Sequence, residues 1–246
     1  MAPQFPPLDE PYRTALREAV AFIMARYDPL GIIASGTIVR GDPGPTSDLD
    51  LYVIHAAPWR QRVQRRFNGV PAEIFVNPPG QVRRYLESER RDGRPMTAHM
   101  LATGAVVLDR DPAIEELRRA AREALAQPPD LPAQALRFRR YMIATAFEDG
   151  TDVAESDPLS ADMILHGTVR EMLRYRFLIA NRAIPRDKDL LRDLETLDAP
   201  LGALARAFYG GATFAGRRAL AEQIADRVIE TRGFFEWESD PEDVPG

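Results

Sequence analysis

The chain has no cysteine among its 246 residues. That rules out disulfides, thiolate catalysis and cysteine-ligated zinc, and leads to the expectation of a cytoplasmic protein. Long apolar runs are missing as well, since none approaches the ~20 uninterrupted residues that a membrane span needs. The opening MAPQFPPLDEPYR lacks a basic stretch followed by an apolar one, so no secretory signal is expected. The three histidines, His55, His99 and His166, stand at no metal-ligand spacing and read as polar packing groups. Lysine is nearly absent: Lys188 is the only one, and every other strong base is arginine. A GC-rich coding bias explains that and the abundant alanine and proline too. The net charge of -5 argues against a broadly basic nucleic-acid surface, though not against a local groove.

What remains is an ordinary globular composition, 45% apolar and 28% charged, in a length that suits one large domain or two ordinary ones. Asp9 reads as a helix N-cap, with Pro11 in the first turn and Leu16, Ala19, Val20, Ile23 and Tyr27 at helical spacing. Short apolar runs at 31–35 and 49–54 read as strands, separated by the turn chemistry of 40–47. The segments 61–67 and 70–76 flank Asn68-Gly69, a dipeptide suited to a type I′ hairpin turn because both central residues need positive φ. Helices are expected from Asn77-Pro-Pro to about Arg91 and from Pro95 to Ala102. A strand at 105–108 and a helix from Asp111-Pro112 to about Ala126 follow. Gln127-Pro-Pro-Asp-Leu-Pro132 is the best linker. Beyond it no strand is evident, and 133–148, 159–182, 187–197, 199–209 and 214–231 all read as helix. The expected class is α+β: a mixed sheet flanked by helices over residues 1–130, then an all-α bundle over 131–246. The tail 234–246 is acidic and proline-bearing, and its aromatics Phe234, Phe235 and Trp237 are expected to dock on the bundle while part of it is disordered.

One constellation carries chemistry. Alternate side chains of a strand share a face, so Asp48 and Asp50 point one way and Leu49, Leu51 and Val53 the other. Two carboxylates ~7 Å apart repel each other unless a cation lies between them. Glu73, on a neighbouring strand, could complete a three-carboxylate nest suited to Mg²⁺ or Mn²⁺. Upstream, Gly36 would let backbone approach a phosphate, Thr37 could donate a hydroxyl, and Arg40 could make a charge-assisted contact.

Ser35-Gly36-Thr37-Ile-Val-Arg40-Gly41 followed by Ser47-Asp48-Leu-Asp50-Leu51 resembles the signature of the DNA polymerase β-like nucleotidyltransferase superfamily. Val70-Pro-Ala-Glu73-Ile-Phe-Val76 is similar to its third-carboxylate strand. The match spans roughly residues 31–77, with threonine where serine is usual and glutamate as the third carboxylate. The resemblance implies a metal-bound NTP, with Asp48, Asp50 and Glu73 as ligands and with Ser35, Gly36, Thr37 and Ser47 near the phosphates. A small catalytic domain followed by a helical bundle is also similar to the aminoglycoside nucleotidyltransferases of the kanamycin and streptomycin type. That layout implies transfer of AMP from ATP to a hydroxyl of a small-molecule acceptor. Adenylylation of a partner protein and non-catalytic nucleotide sensing are the alternatives.

Two further features read in more than one way. The acids Glu148, Asp149, Asp152, Glu155, Asp157 and Asp162 are either a solvated loop and helix start or a wall for a cationic acceptor, with Glu148 and Asp149 as candidate contacts. Lys188 is either a surface residue or a reach toward a triphosphate. The arginines at 62, 65 and 66 are expected to solvate an exposed strand face rather than touch an anionic acceptor.

Overall fold

A computed structural model of the chain describes residues 2–241. The chain divides between Gln127 and Pro128 into two compact units. The first opens with α1 (Tyr12–Arg26), β1 (Pro29–Ser35), the one-turn α2 (Gly36–Val39), β2 (Leu49–His55), β3 (Gln61–Phe67) and β4 (Val70–Asn77). It continues with α3 (Pro79–Arg91), α4 (Met96–Thr103), β5 (Ala105–Asp109) and α5 (Ala113–Ala126). The strands form one mixed sheet in the order β3-β4-β2-β1-β5, in which β2 and β4 are parallel and the other neighbours antiparallel.

The residues explain the layering. In β1 and β2 nearly every position is buried, as befits central strands covered on both faces. Leu49, Leu51 and Val53 pack with Ile32, Ala34 and Ile74 against Ala15, Leu16, Val20 and Ile23 of α1. Tyr52 and Ile54 face the other way and pack with Ile33 against Val82, Leu86, Leu101, Ile114 and Leu117 of α3, α4 and α5. Burying each such Leu or Ile contributes about 1.5–3 kcal/mol. β3 is an edge strand whose side chains are mostly exposed, and its arginines discourage pairing with another chain.

The hairpin turn has Asn68 at φ 44° and Gly69 at φ 78°, as the dipeptide demands. Asp9 differs from expectation. Pro11 holds the N-cap position of α1 without a side-chain cap bond, and it is Glu10 whose carboxylate accepts from the Thr14 amide, at 3.3 Å.

The second unit is helical throughout its described elements: α6 (Ala133–Asp152), α7 (Pro158–Ile179), α8 (Leu190–Leu197), α9 (Ala199–Gly210) and α10 (Phe214–Val228). Its core gathers Phe147, Leu165, Met172, Leu173, Phe208 and Ile224. Asp157, Asp198 and Thr213 cap α7, α9 and α10 through their side chains. Asp198 also accepts from Arg176 at 3.1 Å and from Arg227 at 2.9 Å. Burial works to raise its carboxyl, but bonds from Arg227, the Leu201 amide and Arg176 outweigh that and hold it below the usual carboxylate range. Among the described residues no helix is long and apolar enough to cross a membrane.

Candidate metal centre

The sheet register assembles the site. Asp50 of β2 stands opposite Ser35 of β1 on one side and Glu73 of β4 on the other, and Glu73 stands opposite Gln64 of β3. Side chains of such a row share a face, which is also the face of Tyr52 and Phe75 two residues along each strand. Asp48 lies just before β2 rather than within it, yet its carboxylate joins the other two. One carboxylate oxygen from each of Asp48, Asp50 and Glu73 can be chosen so that all three lie within 4.8 Å of one another. All three residues are half-buried.

Holding three acids this close is costly in the bare protein. The Asp50 carboxyl is pushed up to about 6, first by burial, then by the charges of Asp48 and Glu73, against the opposing pull of Arg40 and Arg62. A hard divalent cation is the species that would reverse this penalty. Clustered carboxylate oxygens with access to water suit Mg²⁺ or Mn²⁺.

The neighbouring loop is built around the same carboxylates. Gly36 is buried with φ +93°, a conformation that L residues rarely adopt. A Cβ there would stand 2.8 Å from Asp50 Oδ2, so the glycine is needed for its torsion and for its closeness to Asp50. Ser35, 2% exposed, precedes it in extended backbone as the N-cap of α2. The Thr37 and Ser47 hydroxyls are 2.7 Å apart, and Ser47 Oγ accepts from the Gly44 amide at 2.8 Å. When Ser47 donates to Thr37, the Thr37 proton is left for an incoming acceptor atom. Arg40 is exposed, and its charge is felt at Asp50.

Sequence reasoning did not foresee what holds Glu73. Its Oε1 accepts from Arg62 Nε at 2.7 Å, from Gln64 Nε2 at 2.8 Å and from the second Arg62 nitrogen, Nη2, in a still shorter contact. Arg62 was expected merely to solvate the strand face, yet it locks a carboxylate of the cluster and lies 4.9 Å above the Phe75 ring. Its two neighbours do behave as surface groups: Arg65 lies over Phe22 and Arg66 donates to the Gly69 carbonyl.

The remaining candidates belong to the second unit. Lys188 is exposed in the turn between α7 and α8. Glu148 and Asp149 lie on α6, which continues to Asp152, so this part of the acidic run is helix rather than loop. Glu148 packs beside Gly233, and Asp149 is exposed. Asp157 caps α7, and Asp162 is paired with Arg217 at 2.5 and 2.8 Å. These two acids are structural. Among the aromatics, Phe235 packs on the bundle core under Arg140 and Trp237 sits 5.1 Å from Tyr141, whereas Phe234 is 81% exposed. The expected disorder of the tail's last five residues falls outside the described chain. His55 and His166 accept the packing role, tilted against the rings of Trp59 and Phe208 with ring nitrogens on backbone oxygens.

No family model and no curated protein matches the chain. Among solved structures it is similar to a nucleotidyltransferase-like protein from Exiguobacterium sibiricum 255-15, at 17% identity and a TM-score of 0.54, over 88% of this chain and 73% of that one. At that identity the likeness is one of fold: the chain has the architecture of a nucleotidyltransferase-like protein, a mixed sheet with flanking helices followed by a helical region.

Proposed function

We propose that the protein is a metal-dependent nucleotidyltransferase that moves AMP from ATP to a hydroxyl of a small-molecule acceptor and releases pyrophosphate. Residues 1–130 act as the catalytic domain and 131–246 as its helical companion. The observation that carries the reading is the convergence of Asp48, Asp50 and Glu73 beside the positive-φ turn at Gly36.

These three carboxylates would hold Mg²⁺ or Mn²⁺, which when bound would supply charge neutralisation for the reacting phosphate. The chain's own residues do the rest. Gly36 brings backbone close to the carboxylates, and Thr37, poised by Ser47, donates to phosphate oxygens together with amides of the Ser35–Thr37 turn. Arg40 adds a charged contact.

The acceptor hydroxyl oxygen forms a bond to the α-phosphorus while the bond to the bridging oxygen of the β-phosphate breaks. Pyrophosphate leaves with that electron pair. The hydroxyl proton passes to a carboxylate, either Glu73 or one from outside the cluster.

The test is incubation with α-labelled ATP, Mg²⁺ and a panel of hydroxylated small molecules that includes aminoglycosides, the acceptor class the chain layout suggests. Label on a small molecule supports the proposal. Label on a protein would replace it with protein adenylylation, and tight nucleotide binding without any labelled product would replace it with sensing.

A further inference from the structure

On the β4 side of the carboxylates the first unit holds a cavity of about 510 Å³. Tyr52 and Phe75 line it from the sheet, stacked with ring centres 5.9 Å apart and planes 15° from parallel. Tyr85 of α3 and Met96 and Met100 of α4 supply further apolar surface, and the exposed guanidiniums of Arg60 and Arg62 flank the opening. None of its lining comes from β1 or α2.

Two observations point to a ligand here. Tyr52 is only 2% exposed, yet its hydroxyl has no hydrogen-bond partner. Thr97 lies alongside, giving its own proton to Glu89 with its oxygen still able to accept from Tyr52, but the Tyr52–Thr97 contact falls short of hydrogen-bond geometry. An unpaired buried hydroxyl costs about 1–3 kcal/mol, which a polar atom of a bound molecule would remove. The second observation is charge. Glu89, the one acid of the lining, is spent on the start of α4, accepting from the Thr97 amide at 2.6 Å and the Thr97 hydroxyl at 2.7 Å. Arg62 is matched by Glu73, but Arg60 donates only to the Tyr85 hydroxyl and has no carboxylate within ion-pair distance among the described residues. Arg60 is thus the one guanidinium at the opening without a matching carboxylate, a partner for an anionic group of a bound molecule.

In-line displacement sets the attacking and leaving oxygens on opposite sides of the phosphorus. Gly36 and Thr37 follow β1, on one side of Asp50, whereas Glu73 and the cavity lie on the other. A pyrophosphate leaving over the Gly36 turn places the attacking hydroxyl at the cavity. We infer that this cavity is the acceptor site and that it takes a flat, hydroxylated aromatic molecule of neutral or negative charge rather than a polycationic sugar. The inference rests on the nucleotidyl-transfer reading above. Tyr52 and Met100 become specificity residues, the first by a hydrogen bond to the acceptor and the second by bounding the space.

The test uses the full chain with 7-hydroxycoumarin-3-carboxylate, a fluorescent molecule of this class, and kanamycin as the polycation. Tyr52→Phe removes the unpaired hydroxyl and keeps the ring, so it folds at least as well as the parent. Met100→Trp fills the cavity. The expected result is coumarin binding weakened about 10-fold by Tyr52→Phe, as befits one hydrogen bond, and abolished by Met100→Trp. Both variants should bind ATP–Mn²⁺ within about twofold of the parent, and the parent should transfer label from ATP to the coumarin.

Failure of the parent to bind the coumarin, or binding indifferent to both variants, overturns the inference. Labelling of kanamycin undiminished by Met100→Trp also overturns it while leaving nucleotidyl transfer standing. Coumarin bound through Tyr52 but never labelled, with no other acceptor labelled either, retains the ligand class and defeats the transfer reading instead.

Discussion

If the carboxylate cluster exists to hold a cation, removing one charge should stabilise the metal-free protein. Asp50 is the residue to change, because it bears the largest penalty. Its carboxyl moves from 3.8 in the unfolded chain to about 6 in the fold, through burial first and then through Asp48 and Glu73. At 1.36 kcal/mol for each pH unit, that difference corresponds to about 3 kcal/mol, trimmed to about 2–3 because the site is partly open to water. The sign follows from proton binding. An acid whose folded value is raised binds its proton more tightly folded than unfolded, so its contribution is fully present below pH 3.8 and is lost as the pH rises through about 6. Above that the full penalty applies.

Asp50→Asn should therefore be more stable than the parent at pH 7.5 in the presence of a chelator, by about 2–3 kcal/mol or roughly 6–10 °C in the unfolding of the first unit. At pH 3.5 the two should coincide. Adding Mn²⁺ at a hundredfold its dissociation constant should raise the parent by about 2.7 kcal/mol and the variant by far less. Calorimetric scans of both proteins, with and without metal, at both pH values, decide the matter. A variant less stable than the parent in chelator at pH 7.5, or one that responds to Mn²⁺ as the parent does, would refute the reasoning.

Gly36→Ala should lower Mn²⁺ affinity at least about 10-fold, read by electron paramagnetic titration, and destabilise the fold by about 1–2 kcal/mol. Its backbone must hold φ +93° while the new methyl displaces Asp50. Arg62→Ala should release Glu73 and reduce metal affinity about 10-fold, with a Gln64→Ala change adding to it. Equal affinity in both variants would show that Glu73 needs neither partner. Asp198→Asn should cost the helical unit about 2–3 kcal/mol at pH 7 by urea unfolding, since it weakens bonds to two arginines. A carboxyl held low stabilises the fold above its unfolded value of 3.8 and loses that contribution as the pH falls through its depressed folded value. The gap between variant and parent should therefore close in strong acid.

The features legible in the sequence were those set by local rules. The Asn68-Gly69 turn fixes Phe67 opposite Val70, and counting back along the ladder places Gln64 opposite Glu73. The same count puts Arg62 two residues from that pair on the same face, so the grip on Glu73 was recoverable from the turn alone, although the arginine was read only as surface charge. The alternation of Asp48 and Asp50 with Leu49 and Leu51 was read correctly as face, if not as strand boundary.

Several helix ends were misjudged for identifiable reasons. The expected helix over 133–148 stops short of Gly150. Gly150 is a contact between helices, where a methyl would meet Ile164 and Leu165 at 3.1 Å, and the helix runs past it. α7 and α10 end early because Asn181 and Glu230 turn left-handed at φ 54° and 53°, the role usually given to glycine and invisible to a search for it.

What no local rule could supply depends on how α3 and α4 lie against the sheet. The cavity, the unpaired Tyr52 hydroxyl and the commitment of Glu89 to α4 each join residues from separate elements, and each follows from packing angles rather than from spacing. The carboxylates themselves divide in the same way. Asp50 and Glu73 occupy paired rungs of the ladder, where the backbone cannot yield to their repulsion. Asp48 stands at the end of a loop tethered by Thr37, Ser47 and Gly44. The rigid pair sets where a cation would lie. The third carboxylate stands outside the ladder, at the end of a loop held by hydroxyl contacts rather than by a strand rung.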